Sequence, residues 1–226
     1  MKLFLSLLFF AALHSEAYFI PPKDWQVADP AQLSPSVKAS FLTKGKKEYC
    51  PSMNIASEKV VISLDEYMKA VKEAHCRDKN NKWRDLGKFT CMAGEGRLCE
   101  IEAKTPLGTA RLLQFIFVKE GTAYVVTGSA LKEEFAAHLK EFQKAFHSFS
   151  ISDLFEEKEA LKKEVDALLV AWQKRETRLE SGPNNVDEDF QKRYLLPFQK
   201  KVLEEFTEMG SYWQILMLQF VQKKLI

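Results

Sequence analysis

No stretch of this 226-residue chain is apolar for the roughly 20 residues that a bilayer-spanning helix needs; the longest, Leu3 to Leu13, holds about 11 and includes Ser6. Charge of one sign is also lacking. Lys and Arg number 33 against 31 Asp and Glu, a net charge of +2, so no basic stripe exists to neutralise phosphates and nucleic acid is not an expected partner. Cys-x-x-Cys is missing, which argues against a zinc knuckle and against a thiol oxidoreductase. Neither a Gly-x-Ser-x-Gly elbow nor a His-Glu-x-x-His pair is present, so His75, His138 and His147 read as ordinary helix-surface histidines. Gly94-x-Gly96 has no helix after it and makes no phosphate cradle. No cofactor or metal is called for.

What is present begins with an address. Lys2, the apolar run and the small residues Ser15 and Ala17 match a signal peptide over residues 1–17, with the mature chain starting near Tyr18 and carrying no transmembrane segment. All four cysteines follow it. An even count in an oxidising compartment favours disulfides over free thiols. In "TCMAGEGRLC", a three-residue turn at Gly94-Glu95-Gly96 makes Cys91 and Cys99 direct cross-strand partners and sets Phe89 against Ile101. A disulfide there is the expectation, with buried free thiols or other pairings as alternatives. Cys50 and Cys76 are left as the second pair.

Residues 18–35 are spaced by Pro21, Pro22, Pro30 and Pro35 and read as an extended lead-in. Val37–Phe41 and Met53–Ile62 alternate as strands do. Ser63 with Glu66 forms a capping box opening a helix over 64–76. Two hairpins follow, 84–92 with 97–104 and 109–118 with 122–128, the second turning at Lys119-Glu120-Gly121. Leu112–Val118 is apolar on both faces, which places it mid-sheet with helices on either side. Ser129 is the expected cap of a helix striped by Leu131, Phe135, Leu139, Phe142 and Phe146, and 148–151 reads as a last short strand.

Beyond Ile151 the texture changes. Residues 152–226 carry 12 basic and 14 acidic side chains, against 20 and 16 for residues 18–151. Asp153 with Glu156 suggests a cap; Leu154, Leu161, Val165, Leu168 and Trp172 make a stripe; Gly182-Pro183 stops that helix, and Asn185 with Glu188 restarts one that Pro197 kinks. An apolar final segment follows Gly210. These stripes need burial on the rest of the chain, on a partner or second copy, or at a membrane surface, in that order of preference. Tyr212, Trp213, Leu216 and Phe220 are the residues a partner would contact.

The stretches "FIPPKDW", "CPSMNIASEKV" with "SLDEYMKAV", and "AYVVTGSALKEEFAAHLKEFQKAFHSFSI" resemble the PsbP-like family, which includes a photosystem II extrinsic subunit, a Ran-binding import factor and exported bacterial proteins. The resemblance spans roughly residues 19–151. It implies an α+β fold, a three-layer α/β/α sandwich with a mostly antiparallel sheet over 18–151; the patterns over 152–226 add an all-helical extension outside the resemblance, an αα-hairpin plus a short C-terminal helix. It also implies no active site. The expected role is a non-catalytic exported binding or assembly protein of a bacterial periplasm or envelope. Its expected partner is another envelope protein, or a second copy through the C-terminal helices. The alternatives are an enzyme whose site is assembled from dispersed residues and a secreted protein acting outside the cell.

Overall fold

The computed structural model describes residues 16–45, 48–155, 158–176 and 188–225. The expected signal peptide falls almost wholly outside them. Directly after its expected end, Tyr18 and Phe19 are already buried in the core.

Among the described residues nine strands form: β1 Glu16–Tyr18, β2 Gln26–Val27, β3 Val37–Leu42, β4 Ser52–Lys59, β5 Lys82–Cys91, β6 Gly94–Thr105, β7 Gly108–Lys119, β8 Thr122–Leu131 and β9 Ser150–Ser152. Seven of them make one antiparallel sheet in the order β2-β3-β4-β8-β7-β6-β5. Helix α1, Leu64–Cys76, starts where its capping box puts it, with the Ser63 side chain accepting from the Glu66 N–H and the Glu66 side chain accepting from the Ser63 N–H. Helix α2 spans Lys132–His147.

The two-faced apolar run is explained by β7 lying inside the sheet. Leu113, Phe115 and Phe117 enter a cluster with Phe142 and Phe146 of α2, while Ile116 enters a second cluster with Tyr67 and Met68 of α1. The architecture is α+β, an antiparallel sheet with a helix on each face. Burying each such side chain contributes roughly 1.5–3 kcal/mol.

Four expectations are corrected here. First, β5 and β6 turn at Met92-Ala93, so Cys91 pairs with Gly94, Phe89 with Gly96 and Ile101 with Trp83, and a bulge between Asp85 and Gly87 sets Cys99 against Asp85. Gly96 is a strand residue. Phe115 and the Ile116 carbonyl occupy the space its side chain would need. Second, Ser129 does not cap α2. The ladder holds it in β8 between Ser52 and Leu112, and α2 opens at Leu131 with no side-chain cap but with Glu133 and Glu134 in its first turn, where carboxylates favour the helix dipole. Third, the last strand leaves the main sheet and pairs with β1, Ala17 opposite Ile151. Fourth, the lead-in is not uniformly extended: besides β1 and β2 it has a 3-10 turn, Pro30–Gln32, capped by Asp29 accepting from the Ala31 N–H at 2.9 Å.

The described residues beyond β9 are mostly helical: α3 Glu159–Glu176, α4 Glu188–Phe190, a π turn Gln191–Leu195, α5 Leu196–Glu205, a 3-10 turn Thr207–Met209 and α6 Gly210–Leu225. Helix α3 begins at Glu159, later than an Asp153 cap implies; Asp153 instead accepts from the Phe155 N–H. Glu156, Gly182-Pro183 and Asn185 lie outside the described residues. The widened turn sits just ahead of Pro197, whose missing N–H and ring disrupt the α ladder one turn back. Helix α3 packs against α6 and meets α5 through the Glu164–Lys201 ion pair, with Leu161, Val165, Leu168 and Trp172 buried as the stripe requires. One apolar cluster runs from the sheet into these helices: Tyr212 packs on Phe19 and Phe41 at ring distances of 5.7 and 5.8 Å, and Trp213 on Phe206 at 5.9 Å.

Candidate functional site

A cleft of about 580 Å³ opens where three distant stretches meet: Ile20–Trp25, the outer side of α2, and the start of α6. Ser148 builds the junction. Its hydroxyl donates to the Ala145 carbonyl at 2.7 Å and accepts the Ile20 N–H at 2.8 Å, tying the lead-in to the end of α2. Pro21 and Pro22 then stiffen the wall, because each fixes its own φ and offers no backbone donor. The chain turns at Asp24, which adopts φ +66°, a left-handed conformation that aspartate tolerates better than most residues. Trp25 folds edge-on against His138 and Phe142 of α2, at 5.9 and 6.2 Å.

The opposite wall depends on Gly210. Its φ of +81° suits glycine, and a Cβ there would lie 3.2 Å from Ile20 and 3.4 Å from Pro21. The absence of a side chain is what lets α6 start against the lead-in. Gln214 fixes α6 from within, its buried amide donating to the Val202 and Leu203 carbonyls at 3.2 Å each, groups that the end of α5 leaves without helical partners.

Charge around the cleft is uneven. Asp24 faces Lys44 at 3.8 Å and Glu141 holds His138 at 2.9 Å, so both carboxylates are engaged. Lys23 and Lys144 have no carboxylate partner among the described residues. The cleft therefore offers apolar surface from Ile20, the two prolines and Trp25, and two ammonium groups at its rim. Ser148 is committed to backbone groups and the Nδ1 of His138 to Glu141, so neither makes a nucleophile-and-base pair.

The other candidate residues lie elsewhere. Tyr212, Trp213 and Leu216 are buried within the chain, and Phe220 stands edge-on to Phe155 at 5.1 Å. This corrects their reading as a partner surface: an apolar segment looks alike in sequence whether its own chain or another molecule covers it. Among the described residues of the tail, the large exposed apolar side chains are Val170, Tyr194, Leu196 and Leu203. His147 donates its Nδ1–H to the Thr90 carbonyl at 2.8 Å and lies over Phe89 at a ring distance of 4.4 Å. His75 is half-buried; burial lowers its pKa, and a hydrogen bond with Gln114 opposes that.

The expected Cys91–Cys99 disulfide is not formed. The two belong to different apolar clusters, one under α2 and one under α1, so their side chains point to opposite faces of the sheet. Cys91 instead donates to the Gly94 carbonyl at 3.2 Å. Cys76 is an exposed free thiol, so the second expected bridge, to Cys50, is not made either; Cys50 Sγ lies 3.8 Å from the Gly45 carbonyl. Burial pushes the Cys91 thiol up and that of Cys99 up to about 12. Since the thiolate is the reactive form, iodoacetamide at pH 8 will label Cys76 in the native protein and leave Cys99 unlabelled until denaturant is added. Mass mapping that finds Cys99 modified as fast as Cys76 would contradict this packing. Among the described residues no group of three or more His, Cys, Asp or Glu is placed to hold a metal ion, and no helix is long and apolar enough to cross a membrane.

No family model and no curated protein matches the chain. Solved structures that it is similar to include PsbP (CyanoP) of Synechocystis sp. PCC 6803, at 12% identity and a TM-score of 0.41, covering 63% of this chain and 95% of that one. LpqN of Mycobacterium tuberculosis, described as involved in cell envelope biogenesis, is 13% identical with a TM-score of 0.44, covering 61% and 84%. The Ran-binding protein Mog1p of Saccharomyces cerevisiae is 12% identical with a TM-score of 0.44, covering 62% and 96%. With TM-scores below 0.5, none of these likenesses bears on the site. A photosystem II extrinsic subunit and a Ran-binding factor are also among the proteins that the sequence resemblance names.

Proposed function

We propose that this chain is a non-catalytic binding protein that works in the periplasm or envelope of a bacterium and holds an extended segment of a partner protein in the cleft beside Trp25. The observation that carries the reading is the cleft itself. At about 580 Å³ it has the size of a ligand site, and it is walled by rigid prolines and an aromatic ring on a helical scaffold. Its unpaired Lys23 and Lys144 suit a segment with an acidic group next to an apolar one, the ammonium groups drawing in the carboxylate while Trp25 and Pro22 cover the apolar part. Location outside the cytoplasm rests on residues 1–17 as a leader.

A photo-crosslinking residue in place of Lys23, in cells producing the chain, tests the reading. A discrete adduct is expected from position 23 and none from a control position on α1, such as Lys69. Trp25→Ala and Lys144→Glu should each cut the adduct at least about tenfold, as loss of an aromatic anchor or a charge reversal at a contact does. Equal adducts from positions 23 and 69, or an adduct indifferent to both substitutions, would sink the proposal.

A further inference from the structure

The face of the sheet under α1 is not covered evenly. Helix α1 packs over β5, β6 and β7 and over the Ala123–Val125 end of β8, and β3 with the parts of β4 and β8 around Asn54 and Thr127 lies beyond it. Across this face the register aligns a row of polar side chains: Ser40 opposite Asn54, Asn54 opposite Thr127, Thr127 opposite Gln114, and Gln114 opposite Cys99. Directly opposed residues have Cβ atoms only about 4.5–5.5 Å apart, so these side chains form a continuous strip over five strands. In the next row Ser52 faces Ser129.

The strip differs from an ordinary solvated sheet face in two respects. From β3 to β7 it carries hydroxyls and carboxamides and no formal charge. Part of it is also withdrawn from water, Ser40, Thr127 and Ser129 being only 8%, 6% and 6% exposed. Neighbours hold it in place: Gln114 donates to Thr127 at 3.3 Å and accepts from the Cys99 thiol at 3.9 Å, and the Tyr49 hydroxyl bonds to Ser129. Asn54 is the open member. Half-buried in the middle of the row, its carboxamide has no hydrogen-bond partner among the described residues.

From this juxtaposition we propose that the strip around Asn54, Thr127 and Gln114, flanked by Tyr49 and His75, is a binding site for a neutral polyhydroxylated ligand, a saccharide. Carboxamides and hydroxyls both donate and accept, which matches sugar hydroxyls that do the same. A charged ligand would lose hydration over the part from β3 to β7, which has no opposite charge to replace it, the nearest in the row being Asp85 beyond Cys99. Central strands supply the floor, so little ordering is needed on binding. The site is on the sheet face opposite α2, and it stands or falls independently of the cleft.

The test is titration of the isotopically labelled full chain with glucose and with N-acetylglucosamine, followed by NMR, with glucuronate and glycerol as comparators. Saturable shifts of the Asn54 and Gln114 side-chain amides are expected for at least one neutral sugar, with a dissociation constant on the order of 1 mM. Asn54→Ala, which removes no bond within the described chain, and the near-isosteric Thr127→Val should each weaken binding at least about fivefold while leaving the spectrum folded. No saturation at about tenfold higher sugar, equal response to glycerol or glucuronate, or shifts unchanged in both variants would overturn the proposal.

Discussion

Replacing Trp213 by alanine will lower the stability of the chain by about 3–5 kcal/mol, the cost of emptying a fully buried aromatic site. Trp213 has no exposed surface and packs on Phe206, while its neighbour Tyr212 lies against Phe19 and Phe41 of the sheet half. A loss of that size is a large share of the 5–15 kcal/mol by which domains are stable. Trp213→Phe should cost far less. The indole N–H is buried without a hydrogen-bond partner among the described residues, so removing it relieves a desolvation penalty that partly offsets the smaller ring. Denaturant unfolding of the three proteins will show the order native, Trp213→Phe, Trp213→Ala. Because Tyr212 covers Phe19 and Phe41, we further expect a chain ended at Ser152 to lose its cooperative thermal transition. A truncated protein melting at the full-length midpoint would establish residues 18–151 as a unit that needs nothing from α6.

What was legible in the sequence was local. Helix α1 shows its own start because Ser63 and Glu66 satisfy each other's backbone donors. The β7–β8 turn shows in Glu120 and Gly121, both at positive φ in the structure. Periodicity found the buried stripe of α3 and the two-faced core strand. What stayed hidden depends on residues far apart in the chain. The three-residue strand β1 carries no periodic signal, and only its pairing across more than a hundred residues makes it a strand; alternation over 148–151 showed its partner β9 but not which strand it would join. The cleft is hidden for the same reason: Ile20, Ser148 and Gly210 are ordinary residues until the fold brings them together. "FIPPKDW" stood out by family resemblance alone, with no signal for what its wall faces. The polar strip escapes notice because Asn54, Thr127, Gln114 and Ser40 lie on four different strands, and nothing along one strand shows that their rows coincide.

The first hairpin shows how one local misreading spreads. Gly-Glu-Gly is a good turn signal, but the turn is made two residues earlier, and the glycine at position 96 serves a different need. A Cβ there would lie 2.5 Å from the Ile116 carbonyl oxygen and 2.6 Å from the Phe115 ring. The ring belongs to the core, and the carbonyl belongs to the β6–β7 ladder, where Arg97 faces Ile116. Neither can retreat without shifting a central strand pair. Gly96→Ala is therefore expected to destabilise the protein by about 3 kcal/mol, the upper end of the usual cost of overpacking, and Gly96→Val by more. Glu95→Ala next to it should change stability by no more than about 0.5 kcal/mol, since its contact with Lys88 is an exposed ion pair. A three-residue turn would give a different pattern, with Gly96→Ala costing little and all three positions facing solvent. Chemical denaturation of these variants thus reads the register directly. It also reads the cysteines, because the alignment that buries Gly96 against Phe115 is the one that sends Cys91 and Cys99 to opposite faces. A mild Gly96→Ala variant would restore the cross-strand cysteine pair, whereas a severe one leaves both as buried thiols.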